Sequence, residues 1–175
     1  HITHLLMRKK IPIIDDIGLF VFVFDGVLTD NLVHIDQNGI ESVTCSRADG
    51  LAFDVLRKIK KPTYILSTEN NSIVSARAKK LGIPVLQGVR NKEKSLKELV
   101  SREGCKLSNL LYVGNDINDF CAMEISGFSV CPLDSHPKIK KISDLVLTTN
   151  GGRGVIRELL EEVFGLDFIE ILYKY

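Results

Sequence analysis

Six short stretches that are apolar almost throughout punctuate this chain: Leu19–Phe24, Thr63–Ser67, Ile83–Leu86, Leu110–Gly114, Phe128–Cys131 and Leu145–Leu147. A strand with one face in water alternates apolar and polar residues, so runs without alternation predict parallel strands covered on both faces. Helical stripes fill the gaps. Leu51, Val55, Leu56 and Ile59 form one; Ile73, Ala76 and Leu81 a second; Leu96, Leu99 and Val100 a third; and Ile156, Leu159, Leu160 and Val163 a fourth. Gly82, Gly104 and Gly165 stand where helix C-caps belong. This alternation predicts an α/β fold, a doubly wound parallel sheet with right-handed crossovers. The 175 residues suit one such domain. Residues 1–16 are expected as an N-terminal tail or linker and residues 17–175 as the domain.

One segment breaks the rhythm. Leu32–Asp36 and Ile40–Cys45 flank Gln37-Asn38-Gly39, and Asn-Gly between such runs predicts a β-hairpin inserted after the first strand. Ligands of doubly wound sheets bind at the carboxyl ends of the strands. The hairpin leaves from that end, so it is placed to wall a site.

Composition excludes several classes. A net charge of +1 gives no footprint for nucleic acid or a membrane surface. The basic clusters Arg8-Lys9-Lys10, Lys58/Lys60/Lys61 and Lys138/Lys140/Lys141 read as solvated faces. The apolar run Ile17–Phe24 is too short to span a bilayer, and no signal peptide is visible. Cys45, Cys105, Cys121 and Cys131 have no CxxC or zinc spacing, as expected of reduced thiols in a cytoplasmic protein. His1 and His4 belong to a terminal tail more simply than to a metal clip. The chain starts without Met, so a piece of a longer protein is expected.

The strand ends carry the chemistry. In order they offer Val23-Phe24-Asp25-Gly26-Val27-Leu28-Thr29-Asp30, then Ser67-Thr68-Glu69, then Gln87 to Lys92, then Gly114-Asn115-Asp116-Ile117-Asn118-Asp119. Singly, each is a turn, a strand end, a surface lysine or a helix cap. Together, an acid, a hydroxyl, an ammonium and an acidic cluster on one sheet edge are equipment for handling phosphate with a hard cation.

On these motifs the sequence resembles haloacid dehalogenase (HAD) superfamily phosphatases. It is most similar to the group without a large cap, which includes phosphatases of 3-deoxy-D-manno-octulosonate 8-phosphate and acylneuraminate 9-phosphate. That group also includes the carboxy-terminal domain of some acylneuraminate cytidylyltransferases. The family opening Asp-x-Asp-Gly-Val-Leu-Thr-Asp is matched from Asp25 to Asp30. Ser46-Arg47-Ala48-Asp49-Gly50, Ile65 to Glu69, Ala76 to Leu81, Gln87-Gly88-Val89 with Lys92, and Gly151-Gly152-Arg153-Gly154 with Arg157-Glu158 match further, over roughly residues 17 to 165. The resemblance implies an acidic sugar phosphate as substrate and magnesium as cofactor. It implies Asp25 as acid/base, Ser67 and Lys92 on the phosphoryl oxygens, and substrate contacts at Gly26, Thr68 and Arg47. Metal ligands would be Asp25, Asn115, Asp116 and Asp119.

Two positions depart from the family. The nucleophilic aspartate is replaced by Val23, which has no lone pair to attack phosphorus and no oxygen for magnesium. The first acid of the fourth motif is Asn115, which brings a carbonyl but no charge. Val23 and Asp25 share a strand face about 6.6 Å apart. A two-residue slip would make Asp25 the nucleophile but would put Val27 at the acid/base position. Either register leaves the pair incomplete. Two readings therefore stand: a phosphatase domain with impaired chemistry, or a non-catalytic oligomerisation domain of, or partner to, a cytidylyltransferase. A homotetramer is expected in both. A nucleotide-binding P-loop or Rossmann protein is disfavoured, because Gly151–Gly154 is followed by no Lys-Ser/Thr.

Overall fold

The computed structural model describes residues 9–174. His1, His4 and Arg8 lie outside the described residues. A six-stranded parallel sheet forms the centre, built from β1 (Leu19–Val23), β4 (Thr63–Leu66), β5 (Val85–Leu86), β6 (Leu110–Val113), β7 (Phe128–Cys131) and β8 (Leu145–Val146). The strand order is β5-β4-β1-β6-β7-β8. All five residues of β1 are buried, which is why its sequence does not alternate.

Helices α1 (Arg47–Lys58), α2 (Ser72–Leu81), α3 (Lys92–Arg102), α4 (Phe120–Ile125) and α5 (Pro137–Ile142) make the crossovers. After β8, α6 (Val155–Glu158) runs into a π turn (Leu159–Val163), and α7 (Phe168–Tyr173) ends the fold. α6 and α7 pack against α1, while α3, α4 and α5 pack in sequence on one another. No stripe in the sequence announced α7. The buried stripe of α2 is Val74, Ala78 and Leu81; Ala76, expected inside, is exposed because the helix is rotated by about one residue from that reading. Ile11 and Ile14, from the segment expected as a tail, pack against the core.

The hairpin is present but shorter than its apolar arms. β2 (His34–Ile35) pairs antiparallel with β3 (Glu41–Ser42), and a bridge between Thr29 and Cys45 closes its base. The tip is set by Asp36, whose Oδ1 accepts from the backbone N–H of Asn38 (2.8 Å) and Ile40 (2.9 Å). Among the described residues no third strand flanks this pair, and the ladder runs for two residue pairs.

Strand order places the site. From β1 the chain turns to β4 on one side, and after β5 it returns to β6 on the other. The crevice at the carboxyl ends of β1 and β6 is thus the topological switch point where such sheets bind ligands.

The Gly151–Gly154 motif serves this crevice as a clamp. The N–H of Gly152 donates to Val27 O at 3.0 Å, and that of Gly151 donates to Asp134 Oδ1 at 3.0 Å. The following helix is held by buried Asp49, whose Oδ1 accepts from the N–H groups of Ile156 and Arg157, both at 3.1 Å. Burial is the main cause that raises the Asp49 pKa to about 6, against the lowering effect of those two N–H groups. The folded protein therefore holds this proton more tightly than the unfolded chain. The stability so gained is full below about pH 4 and is lost as pH rises through about 6, a cost of about 3 kcal/mol at neutrality. Asn at this position keeps a carbonyl acceptor and carries no charge. Urea midpoints of the parent should fall relative to Asp49→Asn as pH rises from about 4 to about 7; parallel curves would contradict this account.

Candidate active site

Asp25 follows β1 by two residues, in a tight turn from Phe24 to Leu28. The turn is fixed from within: Thr29 Oγ1 accepts from the N–H groups of Gly26 and Asn31, both at 3.1 Å. Gly26 has φ +86°, and a Cβ there would meet the Asn115 amide nitrogen at 1.8 Å. Only glycine lets the Asn115 side chain lie over this turn.

Lys92 is the first residue of α3, whose N-cap Asn91 accepts from the Lys94 N–H at 2.9 Å. The cap starts the helix where the lysine points inward. Its side chain is buried, with Nζ 2.6 Å from Asp119 Oδ1. Asp119 also accepts from the Tyr112 hydroxyl at 2.6 Å, and from the N–H groups of Asn115 (2.9 Å) and Asp116 (3.2 Å). Burial, and next the Asp119 charge, push the Tyr112 hydroxyl pKa well above its usual value, so it stays a donor. At Gly114 a Cβ would come within 2.7 Å of the Asp119 carboxyl carbon, so this strand end also has to be glycine.

These elements enclose a small chamber of about 80 Å³, lined by Val23, Asp25, Ser67, Lys92, Asn115 and Asp116, with Asn31, Thr68 and Asn118 at its edges. Ser67 is buried and its Oγ accepts from the Glu69 N–H at 3.2 Å, leaving the hydroxyl proton free to donate. Lys92 gives one N–H to Asp119 and keeps two for a ligand. Asp25 is half-buried, and its pKa is raised, first by burial and then by the charges of Glu69 and Glu41, with Lys92 working against them. A carboxyl that keeps its proton longer is suited to protonating a leaving oxygen. The chamber can hold a tetrahedral anion and donate a proton. The side chain at the end of β1 is Val23, which brings no oxygen to this chamber.

Most of the sequence-predicted residues meet here, and three do not. Asp119, expected to face a cation, is fully buried with both oxygens saturated by four donors; it organises Lys92 and the Asn115–Asp116 backbone. Gly26 lies beneath the chamber instead of lining it. Arg47 stands in the first turn of α1 and lines a separate groove with Arg77 and Lys80. Sequence reasoning missed Tyr112, which reads as one more apolar strand residue, and Asn31, which reads as hairpin.

A magnesium ion requires several oxygen donors together. The carboxylates on the chamber are Asp25 and Asp116, and Asp116 Oδ1 already accepts from the Ile117 N–H at 2.7 Å. Asn115 offers a neutral carbonyl, and Val23 offers nothing. Among the described residues no group of three or more His, Cys, Asp or Glu is disposed to hold a metal ion. The residues present do not make a complete magnesium site.

Comparison with known proteins decides the family. Residues 29–159 match the model of the haloacid dehalogenase-like hydrolases. The chain belongs to that family. The match begins beyond Val23, so it does not bear on the nucleophile position. The 3-deoxy-D-manno-octulosonate 8-phosphate phosphatase of Salmonella typhi is 32% identical over 91% of this chain and 82% of its own length. A HAD family hydrolase from Streptomyces avermitilis superposes with a TM-score of 0.87 at 40% identity, covering 91% of this chain and 98% of that one. The 3-deoxy-D-manno-octulosonate 8-phosphate phosphatase of Moraxella catarrhalis, solved with a magnesium ion, a phosphate ion and a KDO molecule, superposes with a TM-score of 0.81 at 30% identity; 86% of this chain and 87% of that one are covered. The α/β architecture is thus that of HAD-like phosphatases related to octulosonate phosphatases. Among the described residues, no helix is long and apolar enough to cross a membrane.

Proposed function

We propose that this chain is a cytoplasmic sugar-phosphate-binding domain of the HAD-like phosphatases whose phosphoryl transfer is impaired. The observation that carries the reading is Val23 on the wall of the chamber that also holds Asp25, Ser67 and Lys92. Ser67 and Lys92 bind phosphoryl oxygens, and Asp25 sits where a leaving oxygen is protonated. Losing a covalent nucleophile lowers turnover on the order of 10⁴ to 10⁶. The relatives supply the ligand class, since the two octulosonate phosphatases named above act on a sugar phosphate. Their magnesium would here meet a depleted donor set, so divalent binding in the parent is weak. Four free cysteines suit a reducing compartment.

The test pairs binding with turnover. Inorganic phosphate should raise the melting temperature of the parent, Ser67→Ala should weaken that shift, and sugar phosphates with magnesium should release no measurable phosphate. Robust turnover that disappears in Asp25→Ala would sink the impairment; a parent indifferent to phosphate would sink the site.

The hairpin favours assembly as a second role. Leu32, Ile35 and Ile40 are 64%, 66% and 64% exposed among the described residues. An apolar edge of this kind favours a symmetric partner. We propose a homotetramer, with the domain serving as the oligomerisation unit of, or partner to, a sugar-activating cytidylyltransferase. Light scattering at micromolar concentration should report four copies; monomer alone would end this reading.

A further inference from the structure

The phosphate chamber does not stand alone. A groove of about 200 Å³ adjoins it and shares two wall residues with it, Asp25 and Asn31. An ester whose phosphate fills the first space can therefore lay its organic part into the second. Glu41 from β3 and Glu69 beyond β4 stand on that groove, with Asn71 from the N-cap of α2 and Val43 from the hairpin arm. Among the described residues no lysine, arginine or histidine lines it. Neither glutamate has an ion-pair partner among the described residues.

We propose that this groove selects phosphate esters whose organic part is uncharged or carries an ammonium group, and rejects those that carry a carboxylate. The inference rests on the reading of the chamber as a phosphate site and narrows its ligand class. Asn31 and Asn71 supply donors and acceptors for hydroxyls, the apolar wall takes the carbon face of a sugar ring, and the two glutamates set the sign of the charge. A unit charge within about 6 Å of an exposed carboxylate is favoured or penalised on the order of tenfold at low salt, and less as salt screens it. The two octulosonate phosphatases named above take an octulosonate, whose organic part is itself acidic. On this groove wall such a ligand faces two like charges and no counter-charge.

The test compares ligands of one shape and different charge. Glucosamine 1-phosphate, glucose 1-phosphate and glucuronic acid 1-phosphate, with 3-deoxy-octulosonate 8-phosphate beside them, are titrated calorimetrically into the full chain at low ionic strength. The amino sugar should bind about tenfold tighter than the neutral sugar, and the two acids about tenfold more weakly than it. The spread should shrink at high salt and collapse in Glu41→Gln/Glu69→Gln, which keeps shape and removes charge. Acids that bind the parent as tightly as the neutral sugar, or an order that survives the double substitution, overturn the proposal while leaving the phosphate site standing. If no ester binds and inorganic phosphate does not bind either, the phosphate-site reading fails and takes this proposal with it.

Discussion

Replacing Val23 with aspartate should raise phosphate release above the parent's by a factor on the order of 10³ or more. Asp25, Ser67 and Lys92 already line the chamber. β1 is locked in register by Val23 opposite Leu66 and Phe22 opposite Val113, so the new carboxylate has one position to occupy, on the wall it shares with Asp25. Valine and aspartate are close in volume, and the packing of β1 should change little. Charge is the larger perturbation. Val23 is 6% exposed, and a carboxylate there without a cation costs about 1–3 kcal/mol or more. In chelator, Val23→Asp should melt below the parent. Magnesium should then recover that loss and add to it, while shifting the parent little, by linkage. Asn115→Asp added to Val23→Asp restores the second missing charge and should raise both magnesium affinity and turnover. The readouts are phosphate release from sugar phosphates, octulosonate 8-phosphate and acylneuraminate 9-phosphate among them, and trapping of an aspartyl phosphate. If neither variant gains activity or magnesium-dependent stability, the site has lost more than its nucleophile, and the assembly role is what remains.

Each part of the site was legible in the sequence to the extent that its signal was local. The strands were visible because burial on both faces removes alternation, and the hairpin because Asn38-Gly39 sits between apolar runs. Asp25 and Ser67 could be placed because each follows a strand by one or two residues, and Lys92 because it opens the helix after β5; strand ends in this topology converge. Roles that depend on partners distant in sequence were not legible. Tyr112 is one residue of an apolar run, and only the packing of β6 against α4 brings its hydroxyl to Asp119. Asp119 looks like a ligand in a string of acids, yet its neighbours consume both oxygens. Arg47 belongs to a motif, but the first turn of α1 carries it to another groove. The acidic wall beside the chamber joins Glu41 and Glu69, which are far apart in the chain and come to one groove only once the hairpin arm walls it.

Removing Asp119 should unfold the site more thoroughly than removing Lys92, and the difference follows from counting what each leaves behind. Asp119→Ala strands four donors: a fully or nearly buried ammonium, the Tyr112 hydroxyl and two backbone N–H groups. Breaking a buried ion pair from one side costs about 3–5 kcal/mol because the remaining charge has no partner. The unsatisfied hydroxyl and amides add to it. Lys92→Met strands only one charge, and that carboxylate keeps Tyr112 and both amides as donors. Its loss should be about 1–3 kcal/mol. Asp119→Asn should fall between the two, since an amide oxygen can still accept while its nitrogen faces donors. The double variant Asp119→Leu/Lys92→Met removes both charges together and should recover part of the Asp119→Ala loss, as a coupled pair does. Urea unfolding of the four variants measures this. If Asp119→Ala proves no costlier than Lys92→Met, the carboxylate is not the hub that its four hydrogen bonds indicate.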